Sequence, residues 1–90
     1  MDVTVSDNAA ASRFEIFLDG ERAGFADYEL EPGRITFTHT EVAVEGRGLG
    51  GRLVEHALLD ARERGLAVVP QCPFVAGYLD KHPELEHPGA

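Results

Sequence analysis

The sequence predicts a mixed α/β (α+β) fold: an antiparallel three-stranded meander, a glycine loop leading into a long helix, a parallel fourth strand and a short C-terminal helix. Two observations support this order. Three segments of alternating polar and apolar residues are separated by short turn motifs, as in antiparallel strands. Four glycines then fall within residues 46–51, directly ahead of an amphipathic segment. Because a chain of 90 residues holds one modest core, we expect a single domain over residues 1–90.

The strands of the meander are predicted at residues 13–18, 23–30 and 34–42. Asp19-Gly20 is a hairpin motif between the first two strands, and Glu31-Pro32-Gly33 marks the second turn. The third strand is rich in β-branched and aromatic residues, which favour extended backbone. Short turns of this kind join neighbouring antiparallel strands.

The residues ahead of the meander are weakly patterned. Val3 and Val5 alternate with polar residues and are compatible with a short edge strand. Residues 6–12 are small and polar, which predicts a loop.

The end of the third strand carries two titratable side chains. A period of two puts Ile35, Phe37, His39 and Glu41 on one face. His39 and Glu41 are therefore expected to continue the face begun by two large apolar groups, beside the glycine loop. Either side chain can accept a proton from a substrate. The alternative is that both are solvated at a frayed strand end.

The long helix is predicted at residues 48–64, where apolar residues recur every four positions. Gly65 stands where a left-handed C-terminal cap belongs. The apolar run 66–69 then predicts a buried strand parallel to the third strand, joined to it by the helix as a crossover.

A second helix is predicted at residues 74–81. Pro73 suits the first turn of a helix, and Phe74 and Tyr78 are expected to pack inward, with Leu79 as a further candidate. His82-Pro83 ends this helix.

The glycine loop is a candidate anion site. Its sequence, Glu45-Gly46-Arg47-Gly48-Leu49-Gly50-Gly51-Arg52, connects a strand to a helix start. The first N–H groups of a helix lack internal partners, and the helix dipole is positive there, so a phosphate group fits. Arg47 and Arg52 add formal charge. A tight turn without a ligand is the alternative. Dinucleotide binding is disfavoured because no acidic residue follows about twenty positions later.

These features together resemble the GCN5-related N-acetyltransferases, and most closely their small, single-domain YjdJ-type branch. The pyrophosphate loop of the family reads Q/R-x-x-G-x-G/A, and residues 45–50 match it except that a glutamate takes the first position. The resemblance extends to residues 37–42, to 69–74 and to 78–83. It covers about residues 13–84, nearly the whole chain.

The resemblance implies acetyl-coenzyme A as ligand and cosubstrate. No metal is expected, because His56, His82 and His87 lack the spacing of metal ligands. It assigns the pyrophosphate to the backbone of Arg47, Gly48, Leu49, Gly50, Gly51 and Arg52, and the pantetheine to Val42, Ala43 and Val44. Two features depart from the family pattern. Glu45 brings a like charge near the phosphates, and the link over residues 42–44 is shorter than in this branch of the family.

Four residues are candidates for the chemistry. Transfer of acetyl from a thioester to an amine needs a neutral nucleophile, donors for the oxyanion and a proton for the thiolate. Glu41 or His39 can take the amine proton. The resemblance implies that Tyr78 donates the proton to the thiolate; the alternative is an aromatic residue that only packs in the core. The resemblance also implies that Cys72 carries the acyl group; the alternative is a small buried residue without a chemical role.

Charge and composition limit the partners. The net charge of −8 disfavours nucleic acid and anionic membranes. One cysteine forms no internal disulfide, and no signal or membrane segment is evident, so we expect a cytoplasmic monomer or homodimer.

The acceptor amine is not named by the sequence. Larger members of the superfamily carry helices where residues 19–22 form the only link, so the acceptor side should be open to a large substrate such as a protein, or closed by another subunit. The alternative function is a non-catalytic coenzyme A-binding or protein-interaction module.

Overall fold

The computed structural model describes residues 2–43 and 48–85. Its strands and helices, in chain order, are β1 (Val3–Asn8), β2 (Arg13–Leu18), β3 (Glu21–Glu31), β4 (Arg34–Val42), α1 (Leu49–Glu63), β5 (Ala67–Pro70) and α2 (Pro73–Lys81). Short 3-10 turns occur at Ala9–Ala11 and Pro83–Leu85. Within the described part of the chain, no helix is long and apolar enough to cross a membrane.

One five-stranded sheet orders the strands as they occur in the sequence. The pairs β1–β2, β2–β3 and β3–β4 are antiparallel, and β4–β5 is parallel. The predicted meander and its parallel fourth strand are confirmed. The edge strand β1 is longer than expected, because residues 6–8, predicted as loop, pair with β2 and satisfy their backbone groups there.

The core forms between the sheet and the helices. The predicted stripe of α1 is confirmed: Leu49, Leu53, Ala57 and Ala61 are each exposed by 1% or less. They pack with buried residues of the sheet, among them Phe14, Ile16, Ala26, Tyr28, Ile35 and Phe37.

The inward face of α2 agrees with the prediction in part. Leu79 is buried together with Val75, and Tyr78 packs, partly buried, against the core. Phe74 is 44% exposed and its ring lies over Gly50 of α1. In a nine-residue helix a shift of one position rotates the buried face by about 100°, and spacing in the sequence did not fix that rotation.

A bulge in β4 changes which side chains face the core. Tyr28 pairs with Phe37, but the residue before Tyr28, Asp27, pairs with His39. Thr38 is therefore an extra residue in β4. An extra residue reverses the alternation of faces beyond it.

The predicted position of His39 and Glu41 on the face of Phe37 is therefore wrong. Beyond the bulge, Val42 packs against the core and Thr40 contacts Cys72. His39 and Glu41 lie on the opposite, outer face, and their side chains are 56% and 63% exposed.

The C-terminal end of α1 is tied to the sheet. Arg64 lies 3.2 Å from carboxylate oxygens of both Asp7 and Asp60, and the Tyr28 hydroxyl donates to Asp7 Oδ1 at 2.7 Å. Burial, followed by the hydrogen bond to Asp7 and the negative charge of that residue, raises the pKa of Tyr28 to about 12. Gly65 has a φ of 70°, which confirms the predicted cap.

Candidate functional site

A cavity of about 760 Å³ opens at one end of the sheet. Its walls are residues 22–25 at the start of β3, residues 40–43 at the end of β4, Gly48–Gly51 at the start of α1, and Phe74. Such a volume lies in the range of small-molecule sites. The cavity therefore joins the predicted glycine loop to the predicted end of the third strand.

Close backbone approach shapes the wall that β3 and β4 form. A Cβ at Gly24 would lie 2.6 Å from the carbonyl oxygen of Glu41. Ala23 is an extra residue in β3, since Gly24 pairs with Ile16 while Arg22 pairs with Phe17. Ala23 also accepts a 2.6 Å hydrogen bond from the N–H of Ala43. Only a glycine at position 24 allows the carbonyl oxygen of Glu41 to come this close.

The N-terminus of α1 presents backbone donors at the cavity wall. Gly48 precedes the helix with a φ of 70° and offers no capping side chain. The N–H of Arg52 donates to Gly48 O at 3.1 Å, so the preceding N–H groups, those of residues 49–51, have no acceptor inside the helix. The first turn carries no acidic side chain. This combination suits an anion.

The contact between the helices also requires glycine. A Cβ at Gly50 would collide with the ring of Phe74. The glycines at the start of α1 thus let α2 approach closely, in addition to exposing backbone.

The residues predicted to bind the cofactor are distributed as follows. Val42, Ala43, Gly48, Leu49, Gly50 and Gly51 line the cavity. Val44 and Arg47 lie outside the described residues, as do Glu45 and Gly46. Arg52 lines a separate groove of about 340 Å³ beside Val3–Val5 of β1.

His39 and Glu41 are brought together on the outer face. His39 Nε2 lies 3.5 Å from Glu41 Oε1. Glu41 lines the cavity, while the ring of His39 is 6.0 Å from that of Phe25. Proton transfer between the two is geometrically accessible, with Glu41 the one nearer to a ligand in the cavity.

Cys72 lies where β4 and β5 diverge. Its N–H donates to Phe37 O at 3.0 Å, and its thiol donates to Thr40 Oγ1 at 3.2 Å. The residue is 3% exposed. Thr40 lines the cavity and so stands between that space and the thiol.

The surroundings of Cys72 lower the pKa of its thiol. Burial acts to raise this pKa, but the hydrogen bonds that a thiolate would accept from the Thr40 side chain and from the backbone near Val75 and Phe74 outweigh it. Cys72 directly precedes the first turn of α2, where backbone N–H groups and the helix dipole favour a negative charge. This position explains why the backbone lowers the pKa of the thiol.

Tyr78 is held against α1. Its hydroxyl donates to Glu55 Oε2 at 3.1 Å, and its ring stacks on His82 with the ring centres 4.4 Å apart. The described walls of the cavity do not include it. The structure thus groups Tyr78 with the two helices and groups Glu41 with the cavity.

A cluster on the outer face was not predicted. Arg13 and Arg22 flank the ring of Phe25, with guanidinium carbons 5.1 and 5.6 Å from its centre. A nitrogen of each arginine lies 3.2 Å from Glu15 Oε2. Glu15 is 8% exposed. No sequence motif marks this cluster, because a bulge and two strand registers assemble it.

Metal ligands are not gathered at the site. Across residues 2–43 and 48–85, no three His, Cys, Asp or Glu side chains are placed to hold a metal ion.

Comparisons with known proteins agree with this architecture. The profile of the GCN5-related N-acetyltransferases matches residues 13–87. The NMR solution structure of a GCN5-like candidate N-acetyltransferase from Staphylococcus aureus is similar, with a TM-score of 0.70 and 20% sequence identity over 99% of this chain and 87% of that one. At that identity the likeness establishes the fold. A search of the curated proteins gave no match.

Proposed function

Because the chain belongs to the GCN5-related N-acetyltransferase family, we propose that it binds acetyl-coenzyme A in the cavity and transfers the acetyl group to an amine. The observation that carries the proposal is the start of α1. Its first N–H donors, which have no acceptor inside the helix, stand in the wall of a cavity of about 760 Å³, and the end of β4 forms another wall.

Binding is proposed to use backbone groups more than charged side chains. The pyrophosphate would accept hydrogen bonds from the N–H groups of Leu49, Gly50 and Gly51, where the helix dipole also favours negative charge. The pantetheine would run along Thr40–Ala43, beyond the point where β5 leaves β4. Gly48 keeps side-chain atoms out of the phosphate path.

The transfer step follows from the residues at the cavity. The amine nitrogen attacks the thioester carbonyl carbon, so that a C–N bond forms and the C–S bond breaks with its electron pair on sulfur. Glu41, with His39 beside it, accepts a proton from the amine, and the same proton, passed on through water, protonates the thiolate to give free coenzyme A. We do not assign this last proton to Tyr78, whose hydroxyl donates to Glu55.

An acyl-cysteine is the second route. The lowered pKa of Cys72 favours attack by its thiolate on the thioester carbonyl, which releases coenzyme A and leaves the acetyl group on Sγ for a later amine. Against this route, the thiol is 3% exposed, and Thr40 lies between it and the cavity. Direct attack requires no movement of Thr40 and is the preferred mechanism.

The test combines calorimetric titration with acetyl-coenzyme A, intact-protein mass spectrometry and turnover with amines. We expect binding, turnover and no acetyl adduct, and we expect Cys72→Ala to keep its activity. An adduct that Cys72→Ala abolishes together with activity would move the mechanism to the acyl-cysteine. Binding without turnover of any amine would support a non-catalytic coenzyme A-binding module, and absence of binding would overturn the proposal.

A further inference from the structure

We propose that the acceptor carries a carboxylate as well as the reacting amine, as an amino acid does, and that Arg22 and Glu41 hold these two groups on either side of Phe25. This inference rests on the proposed function, whose acceptor it specifies. The transfer step is unchanged: the acceptor nitrogen gains the acetyl group, Glu41 receives its proton, and the acceptor carboxylate takes no part in bond changes.

Opposite charges meet at one end of the cavity. Arg22, Phe25 and Glu41 all line it. Phe25 and Glu41 are partners across β3 and β4, so their side chains share a face with Cβ atoms about 5 Å apart. The guanidinium of Arg22 lies 5.6 Å from the centre of the same ring. One aromatic ring therefore separates a cation from a carboxylate.

The bulge at Ala23 creates this arrangement. Residues 22 and 25 are three positions apart and would face opposite sides of a regular strand. Because Ala23 is extra in the pairing with β2, Arg22 turns to the side of Phe25. A bulge that re-aims a charged side chain toward a cavity is a common device beside binding sites.

A buried carboxylate holds Arg22 in position. Glu15, 8% exposed, binds Nη1 of Arg22 at 3.2 Å. That bond uses one of the five N–H donors of the guanidinium, and 45% of the Arg22 side chain is exposed. A positioned arginine with donors to spare is the group best suited to bind a carboxylate.

The position of the amine follows from the chemistry. The proton acceptor must lie next to the attacking nitrogen, and Glu41 is the carboxylate among the described residues that line the cavity. An amine that also bears a carboxylate then satisfies Arg22, while its carbon chain packs on Phe25. A polyamine would bring a second positive charge toward Arg22, which costs binding energy in a partly desolvated site.

The outer face is open to such a molecule. β2 and β3 are joined by Asp19-Gly20 alone, and the buried faces of the sheet and of α1 pack on the other side. The side chains of His39 and Glu41 are both more than half exposed. A small acceptor can therefore reach Glu41 across Phe25.

Arg13 provides a matched control. Its Nε lies 3.2 Å from the same oxygen of Glu15 without a hydrogen bond, and its guanidinium carbon lies 5.1 Å from the centre of the same ring. Arg13 is not among the described residues that line the cavity. Arg13→Gln and Arg22→Gln thus each remove one cation beside Glu15 and Phe25, and only Arg22→Gln removes a charge from the site.

The experiment measures acetylation of straight-chain ω-amino acids of two to six carbons, each paired with the amine of equal length that lacks the carboxylate. We expect the wild-type protein to prefer the amino acid of the best pair by about tenfold or more in kcat/KM, as hydrogen bonds to a charged group allow. Arg22→Gln should bring that ratio close to one. Arg13→Gln should leave the ratio unchanged.

Three results would overturn the inference. They are an equal rate within every pair, a ratio that Arg13→Gln lowers as much as Arg22→Gln, and no acetylation of any amine in the panel although acetyl-coenzyme A binds. All three leave the coenzyme A site intact, and the third also counts against transfer to an amine. Failure of acetyl-coenzyme A to bind would instead refute the proposed function, and the inference would fall with it.

Discussion

A glycine with the same backbone conformation stands at each end of α1, but the hydrogen bonding at the two ends differs. Gly48 and Gly65 both have a φ of 70°, and a Cβ at either glycine would meet nothing within 4 Å. At the C-terminal end, Gly65 donates to Arg62 O and Leu66 donates to Ala61 O. These bonds close the helix on itself.

At the N-terminal end the backbone is left open. Arg52 makes the first bond inside the helix, no side chain caps the donors before it, and a cavity lies against them. A glycine beside a helix thus has two uses. Where backbone carbonyls of the helix accept the bonds at its end, the glycine stabilises that end; where the first N–H groups have no acceptor inside the helix, it leaves room for a ligand.

The strongest test of this comparison is the same substitution at both glycines. Gly48→Glu should weaken binding of acetyl-coenzyme A by about a hundredfold or more, because it adds bulk and negative charge where phosphates are proposed to bind. Gly65→Glu should leave the affinity unchanged. Each variant should lose about 1 to 2 kcal/mol of stability, since a non-glycine residue is strained at this φ.

Calorimetric titration and urea unfolding of both variants separate affinity from stability. If the two substitutions weakened binding equally, strain alone would explain the loss, and the N-terminal end would have no special role.

The second test addresses the closed end. Tyr28→Phe should reduce the free energy of unfolding by about 1 to 2 kcal/mol at neutral pH, because Asp7 loses a buried hydrogen bond. Its affinity for acetyl-coenzyme A should not change. Chemical unfolding and titration of this variant measure the two quantities. A variant as stable as the wild type would contradict a structural role for this bond.

The raised pKa of Tyr28 adds a pH dependence to that test. A tyrosine titrates near 10 when unfolded, and the folded pKa is about 12. Its contribution is therefore fully present below pH 10 and is lost as the pH rises toward 12, by about 2 to 3 kcal/mol at 1.36 kcal/mol per unit. Tyr28→Phe should lack this alkaline loss, which unfolding curves at pH 8, 10 and about 11.5 can establish.

The smallest effect is expected at Arg52. Arg52→Gln should change the affinity for acetyl-coenzyme A by less than about threefold, because its N–H donates to Gly48 and its side chain lines the groove beside β1. Exposed charges at a distance are screened by salt. Titration at low and moderate ionic strength measures the change. A loss of about tenfold or more would mean that the side chain reaches the phosphates.

Local patterns in the sequence predicted most of the elements. Residues four positions apart gave the stripe of α1 because helix periodicity is a local property. Gly65 marked the end of α1 because φ > 0 is costly for other residues. The turn at Asp19-Gly20 and the alternation in β2 predicted the meander because turn motifs and strand periodicity are also local properties of the sequence.

The candidate site was predicted only in part. Residues 48–51 were found through the glycines, and Glu41 through its place at a strand end. His39 and Glu41 were assigned to the wrong face because the bulge at Thr38 is decided by pairing with β3, which no single segment encodes. Arg22 and Phe25 were missed, since they share a face only because of a second bulge. The chemical roles of Glu41, His39, Cys72 and Tyr78 stay predictions.

Neighbours within a few residues were enough to predict the order of strands and helices, the buried stripe of α1 and the glycines at its two ends. Which side chains meet could not be predicted in this way: Thr40 contacts Cys72, His39 lies beside Glu41, and Arg22 lies over Phe25 because packing and hydrogen bonding between distant segments set strand register and helix rotation. A shift of one residue moves the side chains of a strand to its other face and rotates the buried face of a helix by about 100°.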